Sequence, residues 1–206
     1  MFNLYYHPIY TYGIDEKSNF PRDRYQLLKQ ELQTHLNRHS IAIKNSPIVD
    51  ESIVNKIHDP NYVSRFLNQK LDSKEIRRIG LKPWKKEIIE RTLRITGGSI
   101  AAMQHAIMTG GISGNMAGGT HHAHKDYGSG FCIFNDIAIC AKIALEKPNI
   151  KNILIIDLDV HQGDGTAEIL KNNKKVFTFS MHCSSNFPFQ KAKSCLLYTS
   201  DAADDS

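Results

Sequence analysis

Between Asn152 and Gly165 the chain reads NILIIDLDVHQGDG, and no other stretch limits the possible folds as much. Ile153, Leu154, Ile155 and Ile156 make an unbroken apolar run dominated by β-branched residues, the pattern of a strand covered on both faces. Alternate side chains of an extended segment share a side. Asp157, Asp159 and His161 are therefore expected to point one way, and Leu158 and Val160 the other. Open α/β sheets bind ligands outside the carboxyl ends of their strands, which is where this cluster falls. A carboxylate and a neutral imidazole are good ligands for zinc or ferrous iron, and a second carboxylate nearby can hold another cation. One Asp or His in such a place is most often a solvated strand end. Three on one side of a buried strand favour a site.

The rest of the chain fits an α/β reading. Gly163 to Leu170 is expected to turn into a helix and Val176 to Met181 to form a second buried strand. Strand, helix and strand over roughly 30 residues make a right-handed βαβ unit, which implies a parallel sheet. Upstream, Phe2 to Tyr6 reads as a first strand. Arg22 to Leu36 reads as a helix with Tyr25, Leu28, Leu32 and Leu36 on its core face. Asp59 and Pro60 make a helix entry, with His58 beside them in a structural role. Ser73 to Arg78 is a short charged helix ended by Ile79, Gly80 and Leu81. Trp84 to Thr109 is the longest helical pattern. Its adjacent Gly97 and Gly98 each weaken a helix by about 1 kcal/mol, so they mark close packing or a bend. Gly110 to Gly119 holds five glycines and reads as a loop without a phosphate-binding motif. Asn135 or Asp136 caps a further helix that Pro148 stops.

At 206 residues the chain has room for one domain. A formal charge of +5 with 23% charged residues, and no Lys/Arg block or finger motif, gives no reason to expect nucleic acid as a partner. The same bias would not steer very basic substrate tails toward the protein. The four cysteines, at 132, 140, 183 and 195, lack a C-x-x-C spacing and suit a reducing compartment. The start, MFNLYYHPIY, has no charged leader followed by an apolar core, and no run approaches the ~20 apolar residues that span a bilayer. A cytoplasmic protein without membrane contact is expected. The last twelve residues, CLLYTSDAADDS, break character and resemble the translation of a transposase sequencing adapter. They carry three Asp and no base, so removing them raises the formal charge from +5 to +8. Residues 1–194 are thus expected to be the N-terminal part of one domain, cut near Ser194, and 195–206 a non-native tail.

The pattern D-x-D-x-H-x-G-D-G after a strand, preceded at a distance by GGTHHAHKDYGSGFCIFND, resembles the zinc-dependent lysine deacetylases, the histone deacetylase superfamily. The resemblance runs from about Tyr5 to Ser194. Its bacterial, class IV-like branch fits best, because Asn61 to Phe66, Arg77 to Leu81 and Asn186 to Phe189 also match in kind. It implies an arginase/deacetylase-like three-layer α/β fold with a central parallel sheet, incomplete at the C-terminus.

For the site, the resemblance implies that Asp159 and His161 are two of three ligands to a catalytic Zn2+, or to Fe2+ in its place. Asp157 would partner His121 and Asp164 would partner His122. His122 would act as the general acid/base and His121 as its electrostatic assistant. A structural K+ would be held by Asp157, Asp159, His161, Ser180 and Met181. Gly130 and Phe131 would form one wall of a narrow slot for an acetylated lysine side chain, with Phe187 opposite. The third ligand, an Asp, and an oxyanion-stabilising Tyr would come from beyond residue 194, so the chain alone is expected to be inactive.

The rim segment Arg77 to Pro83, RRIGLKP, carries no acid where class I relatives use one to grip a peptide backbone. An acetylated polyamine or another small acyl-amine is therefore an alternative to a protein substrate. A two-manganese ureohydrolase of the same fold is disfavoured by the His pair and by Gly130–Phe131. A metal-free binding module that keeps the fold remains open.

Overall fold

The computed structural model describes residues 2–35, 41–193 and 196–200. The chain opens with β1 (Phe2–Tyr6), a short α1 (Ile9–Tyr12), α2 (Arg24–His35) and β2 (Ile41–Asn45). Four helices come next: α3 (Glu51–Val54), α4 (Pro60–Leu67), α5 (Ser73–Ile79) and the long α6 (Glu87–Thr109). β3 (Ser113–Asn115), α7 (Asp136–Ala144), β4 (Ile153–Asp157), α8 (Asp164–Leu170), β5 (Val176–Cys183) and β6 (Leu196–Ser200) follow. Among the described residues the strands form two three-stranded sheets, ordered β2-β1-β3 and β4-β5-β6, and every pairing is parallel. β6 falls within the stretch read as foreign, and its backbone pairs with β5. The rest of that stretch, residue 195 and residues 201–206, lies outside the described residues.

Local chemistry sets the helix ends. The Asp59 carboxylate accepts from the N–H groups of Asn61 and Tyr62, with Pro60 at the first helical position of α4. Asp72 and Glu75 make a reciprocal capping box on α5, and Gly80 closes that helix at φ 86°. α6 buries Ile88, Ile95 and Ile100 against Tyr10, Tyr62, Phe66 and Phe134. Its Gly97 marks close packing, since a Cβ there would overlap the Pro47 carbonyl oxygen. The Val49 N–H donates to the Leu93 carbonyl at 3.2 Å in the same contact.

β4 and β5 differ from expectation. They are covered on one face only. Ile155 and Val176 pack on Ala138 and Ala141 of α7 and on Leu170 of α8. Leu154 is 60% and Ile156 59% exposed, and Phe177 and Met181 are exposed on the same face to a lesser degree. An apolar run reports that a strand can be buried on both sides. It does not report whether a second layer is present, and among the described residues α7 and α8 supply only one. α2 also departs: Tyr25 is buried, but Leu28 is exposed at the rim, and Leu36 lies outside the described residues. Within the glycine-rich stretch, β3 was not expected. It pairs with β1, Asn3 opposite Ser113 and Tyr5 opposite Asn115, and the Ser113 hydroxyl donates to the Asn3 carbonyl at 2.8 Å.

A cleft of about 740 Å³ separates the two sheets, lined by β3 on one side, Ile153 and Ile155 of β4 on the other, and Met103, Ile107 and Cys140 from the helices. No helix among the described residues is long and apolar enough to cross a membrane.

His58 is structural in its contacts. Its Nε2 accepts the Asn135 N–H at 2.8 Å, so Nδ1–H donates to the Lys125 carbonyl at 3.2 Å. Burial pushes its pKa down from 6.5 to about 4, against the opposing effect of the carbonyls around it. The unfolded chain protonates this ring near pH 6.5 and the folded chain only near 4. The stability held by the neutral ring is therefore complete above pH 6.5 and is lost as the pH falls toward 4. From this residue alone the unfolding free energy should be about 2 kcal/mol lower at pH 5 than at pH 7. Urea titrations of wild type and His58→Gln at both pH values check this; equal pH sensitivity in the two proteins contradicts it.

Candidate active site

The histidine pair sits in a loop that buried polar groups fix from both sides. Gly118 and Gly119 take φ values of 134° and 68°, a path open to glycine, and bring Thr120 onto the N-terminus of α7. The buried Asp136 carboxylate accepts from the N–H of Thr120 at 2.8 Å, from its hydroxyl at 2.6 Å and from the Gly119 N–H at 3.2 Å. Beyond the pair, the Asn135 amide donates to the Ala123 carbonyl at 3.0 Å, while its oxygen caps α7 through the Ala138 N–H. The first turn of α8 closes the other side. The Thr166 N–H donates to the His121 carbonyl at 3.0 Å, and a Cβ on Gly165 would overlap the Ala123 carbonyl. Glycine at 165 is thus what lets the helix and the loop meet backbone to backbone.

This framework aligns two imidazole–carboxylate pairs. His121 Nδ1 lies 2.6 Å from Asp157 Oδ2, and His122 Nδ1 lies 2.6 Å from Asp164 Oδ1. Both rings are buried and their centroids are 4.1 Å apart. Each ring donates Nδ1–H to its carboxylate, which leaves the lone pair of a neutral ring on Nε2. The two rings then diverge. For His121, burial opposes the charge, but the Asp157 bond and the charges of Asp157, Asp159 and Asp164 outweigh it and raise the pKa. For His122, burial is the largest influence and lowers the pKa despite the Asp164 bond, with the neighbouring His121 acting in the same direction. Burial would raise Asp164 as well, yet its bonds to His122 and His124 hold it well below the usual carboxylate range. The opposite directions make the two rings chemically distinct, and each neutral ring presents an Nε2 lone pair that can accept a proton.

Asp159 and His161 stand next to these rings. β4 stops at Asp157, and the polar residues after it lie on successive turns instead of an extended strand. Asp157 Oδ1 accepts the Asp159 N–H at 3.1 Å, and Asp159 Oδ1 accepts the His161 N–H at 2.8 Å. Leu158 and Val160 still point away, into solvent. Burial opposes the charge of Asp159, but the His161 N–H and the His121 charge hold its pKa below normal. His161 Nδ1 is 2.9 Å from Asp159 Oδ1. Ligand atoms on a tetrahedral ion with bonds of about 2.0–2.1 Å are about 3.3 Å apart, so this hydrogen-bonded N,O pair would have to open by about 0.4 Å to share one ion. Among the described residues no three His, Cys, Asp or Glu side chains come together as a complete metal site, so Asp159 and His161 are a partial donor set. Ser180 is the β5 register partner of Asp157, and its buried hydroxyl lies 2.9 Å from His182 Nδ1. Met181 follows on the open face of the sheet.

A cavity of about 280 Å³ opens onto the site, lined by His121, His122, Gly130, Phe131, Asp159 and His161. Gly130 has φ 51°, and a Cβ there would come within 2.6 Å of His122 Cδ2 and 3.1 Å of Phe187. Phe187 packs edge-on over His122, ring centroids 4.9 Å apart. Phe131 instead leans on Phe20, 5.3 Å away, and is 40% exposed.

The structure thus brings His121, His122, Asp157, Asp159, His161 and Asp164 together, with Gly130, Phe131 and Phe187 around them. It adds residues the sequence reading did not single out. Phe20, Arg24 and Arg91 line the same cavity, and the buried Arg91 donates to the Tyr10 carbonyl and the Tyr25 hydroxyl. His124 shares Asp164 with His122. Only His124 carried a signal, lying two positions beyond His122 in the same loop.

The fold is that of the deacetylase-type α/β proteins with a parallel sheet. The crystal structure of a histone deacetylase homolog from Aquifex aeolicus superposes with a TM-score of 0.75 at 22% identity, covering 96% of this chain and 58% of that one. Residues 18–199 match the family model for the histone deacetylase domain, and the chain belongs to the histone deacetylase family. An uncharacterized protein of Picosynechococcus sp. is 43% identical over 195 residues, which cover 95% of this chain and 64% of that protein. The polyamine deacetylase HDAC10 of Mus musculus is 30% identical over 134 residues, 61% of this chain and 20% of that protein. The chain spans less than two thirds of the length of these relatives.

Proposed function

We propose that the protein to which this chain belongs is a metal-dependent amidohydrolase that removes the acetyl group from N-acetyl-lysine. The observation that carries this reading is the meeting of two buried imidazole–carboxylate pairs with the Asp159–His161 donor pair at the carboxyl end of a parallel strand. Asp159 and His161 would hold Zn2+, with Fe2+ as the alternative, and a third ligand and an oxyanion-stabilising Tyr would come from outside residues 1–194. When bound, the ion polarises an amide carbonyl and acidifies water. His122 Nε2 takes a proton from the attacking water and passes it to the departing nitrogen as the C–N bond breaks, giving acetate and a free amine. Asp164 keeps the His122 lone pair on Nε2, and the charge on His121 favours the developing oxyanion. Gly130, Phe131 and Phe187 would frame the slot for the acyl-lysine chain. Asp157, Asp159, His161, Ser180 and Met181 would surround a structural K+. Residues 195–206 would be foreign to the protein, and the setting would be the cytoplasm.

A small acetylated amine is a second reading, favoured by one observation: residues Arg77 to Pro83 at the rim offer no carboxylate to grip a peptide backbone. The test uses the complete gene product, with its metal content measured and acetate release followed from an acetyl-lysine peptide and from acetylated polyamines. Release from the peptide with bound zinc or iron is the expected result. Preference for the polyamine selects the second reading, and a metal-loaded protein that releases acetate from neither substrate removes both.

A further inference from the structure

Asp164 carries an imidazole on each oxygen. His122 Nδ1 lies 2.6 Å from Oδ1, and His124 Nε2 lies 3.1 Å from Oδ2. The His124 side chain is only 13% exposed and does not line the cavity that holds His121 and His122. Its ring lies flat on Tyr127, centroids 4.4 Å apart at 17°, and the Arg78 guanidinium sits 4.1 Å from the centre of that tyrosine ring. Arg78 is anchored to the Gly128 carbonyl at 3.1 Å, and the His124 N–H donates to the Tyr127 carbonyl at 2.9 Å. The ring of His124 is therefore fixed in both position and tilt before it meets Asp164.

A carboxylate held through one oxygen turns easily, because the terminal torsion of Asp has a broad minimum. A donor on the second oxygen removes that freedom. We propose that His124 is a positioning residue for the hydrolytic reaction: it locks the plane of the Asp164 carboxylate so that Oδ1 stays in line with His122 Nδ1, and His122 Nε2 stays aimed into the cavity. The inference rests on the amidohydrolase reading and extends it to a side chain that touches neither substrate nor metal. Outer partners of this kind typically change activity by about tenfold to a hundredfold when removed.

Two variants of the complete protein separate positioning from packing. His124→Phe keeps the stack on Tyr127 and loses the donor, whereas His124→Gln loses the stack and keeps an N–H within reach of Oδ2. His124→Phe should lower kcat about tenfold to a hundredfold with KM and melting temperature unchanged, and His124→Gln should recover most of that loss. The downfield imidazole N–H resonance of the His122–Asp164 pair gives a readout independent of turnover, sharp in wild type and in His124→Gln and broadened in His124→Phe. Wild-type kcat in His124→Phe overturns the inference, as does a loss that follows the melting temperature in both variants. A metal-loaded wild type without acetate release overturns the amidohydrolase reading and this inference with it.

Discussion

Replacing His122 with alanine should lower kcat for acetate release from the complete protein by about 10²–10⁴-fold, the usual contribution of a positioned general acid/base. The effect should fall on kcat and not on folding. His122 Nδ1 is bonded to Asp164, but that carboxylate keeps its bond to His124 when His122 is removed, so no buried charge is left without a donor. His121→Ala makes the instructive contrast. Under the proposed mechanism this variant loses the electrostatic assistant but keeps the base, so its deficit should be the smaller of the two. Steady-state kinetics of both variants at one pH, with circular dichroism to confirm the fold, decide the matter. Equal losses in the two would contradict the division of roles argued from their opposite pKa directions.

Asp159→Asn should empty the complete protein of its metal and lower turnover by about a thousandfold. Loss of the several kcal/mol that a metal ion contributes to the transition state corresponds to a change of that size. The substitution is nearly isosteric. Asn can still accept the His161 N–H that Asp159 Oδ1 accepts at 2.8 Å, so the turn itself should survive. What is lost is the negative charge that makes the oxygen a good ligand. Metal analysis after dialysis should find less than about a tenth of the wild-type content. Wild-type metal content together with wild-type turnover would move the ion away from Asp159 and His161.

Much of the architecture was legible where local chemistry decides it. The bounds of β1, the Asp59–Pro60 entry to α4, the Gly80 stop of α5 and the Asn135 cap of α7 follow from residues within four positions of each other. Gly97 and Gly98 signalled close packing or a bend, and nothing nearby in sequence names Pro47 as what Gly97 packs against. Legibility failed where a contact is distant in sequence or runs mainly through backbone. β3 is Ser113, Gly114 and Asn115, with no β-branched side chain to signal a strand, and β1 recruits it by hydrogen bonds. Among the described residues no second layer covers Leu154 and Ile156, and no property of the run itself reveals whether one does.

The site shows the same division. The alternation Asp157, Asp159, His161 could be read from the residues, and the pairing of His121 and His122 with particular carboxylates came only through the family resemblance. Phe20 and Arg91, which line the cavity from far upstream, gave no local sign at all.

The meeting of Gly165 with the Ala123 carbonyl has a bearing on how such a protein can vary. Main chain abuts main chain there, so the spacing between the His122 loop and Asp164 at the start of α8 is fixed by atoms that every amino acid shares. Apolar residues farther along α8, such as Ile169 and Leu170, can be exchanged for others of similar bulk without changing how His122 meets Asp164. Drift in the surrounding core and constancy of the His122–Asp164 geometry are compatible in this design, provided position 165 remains without a side chain.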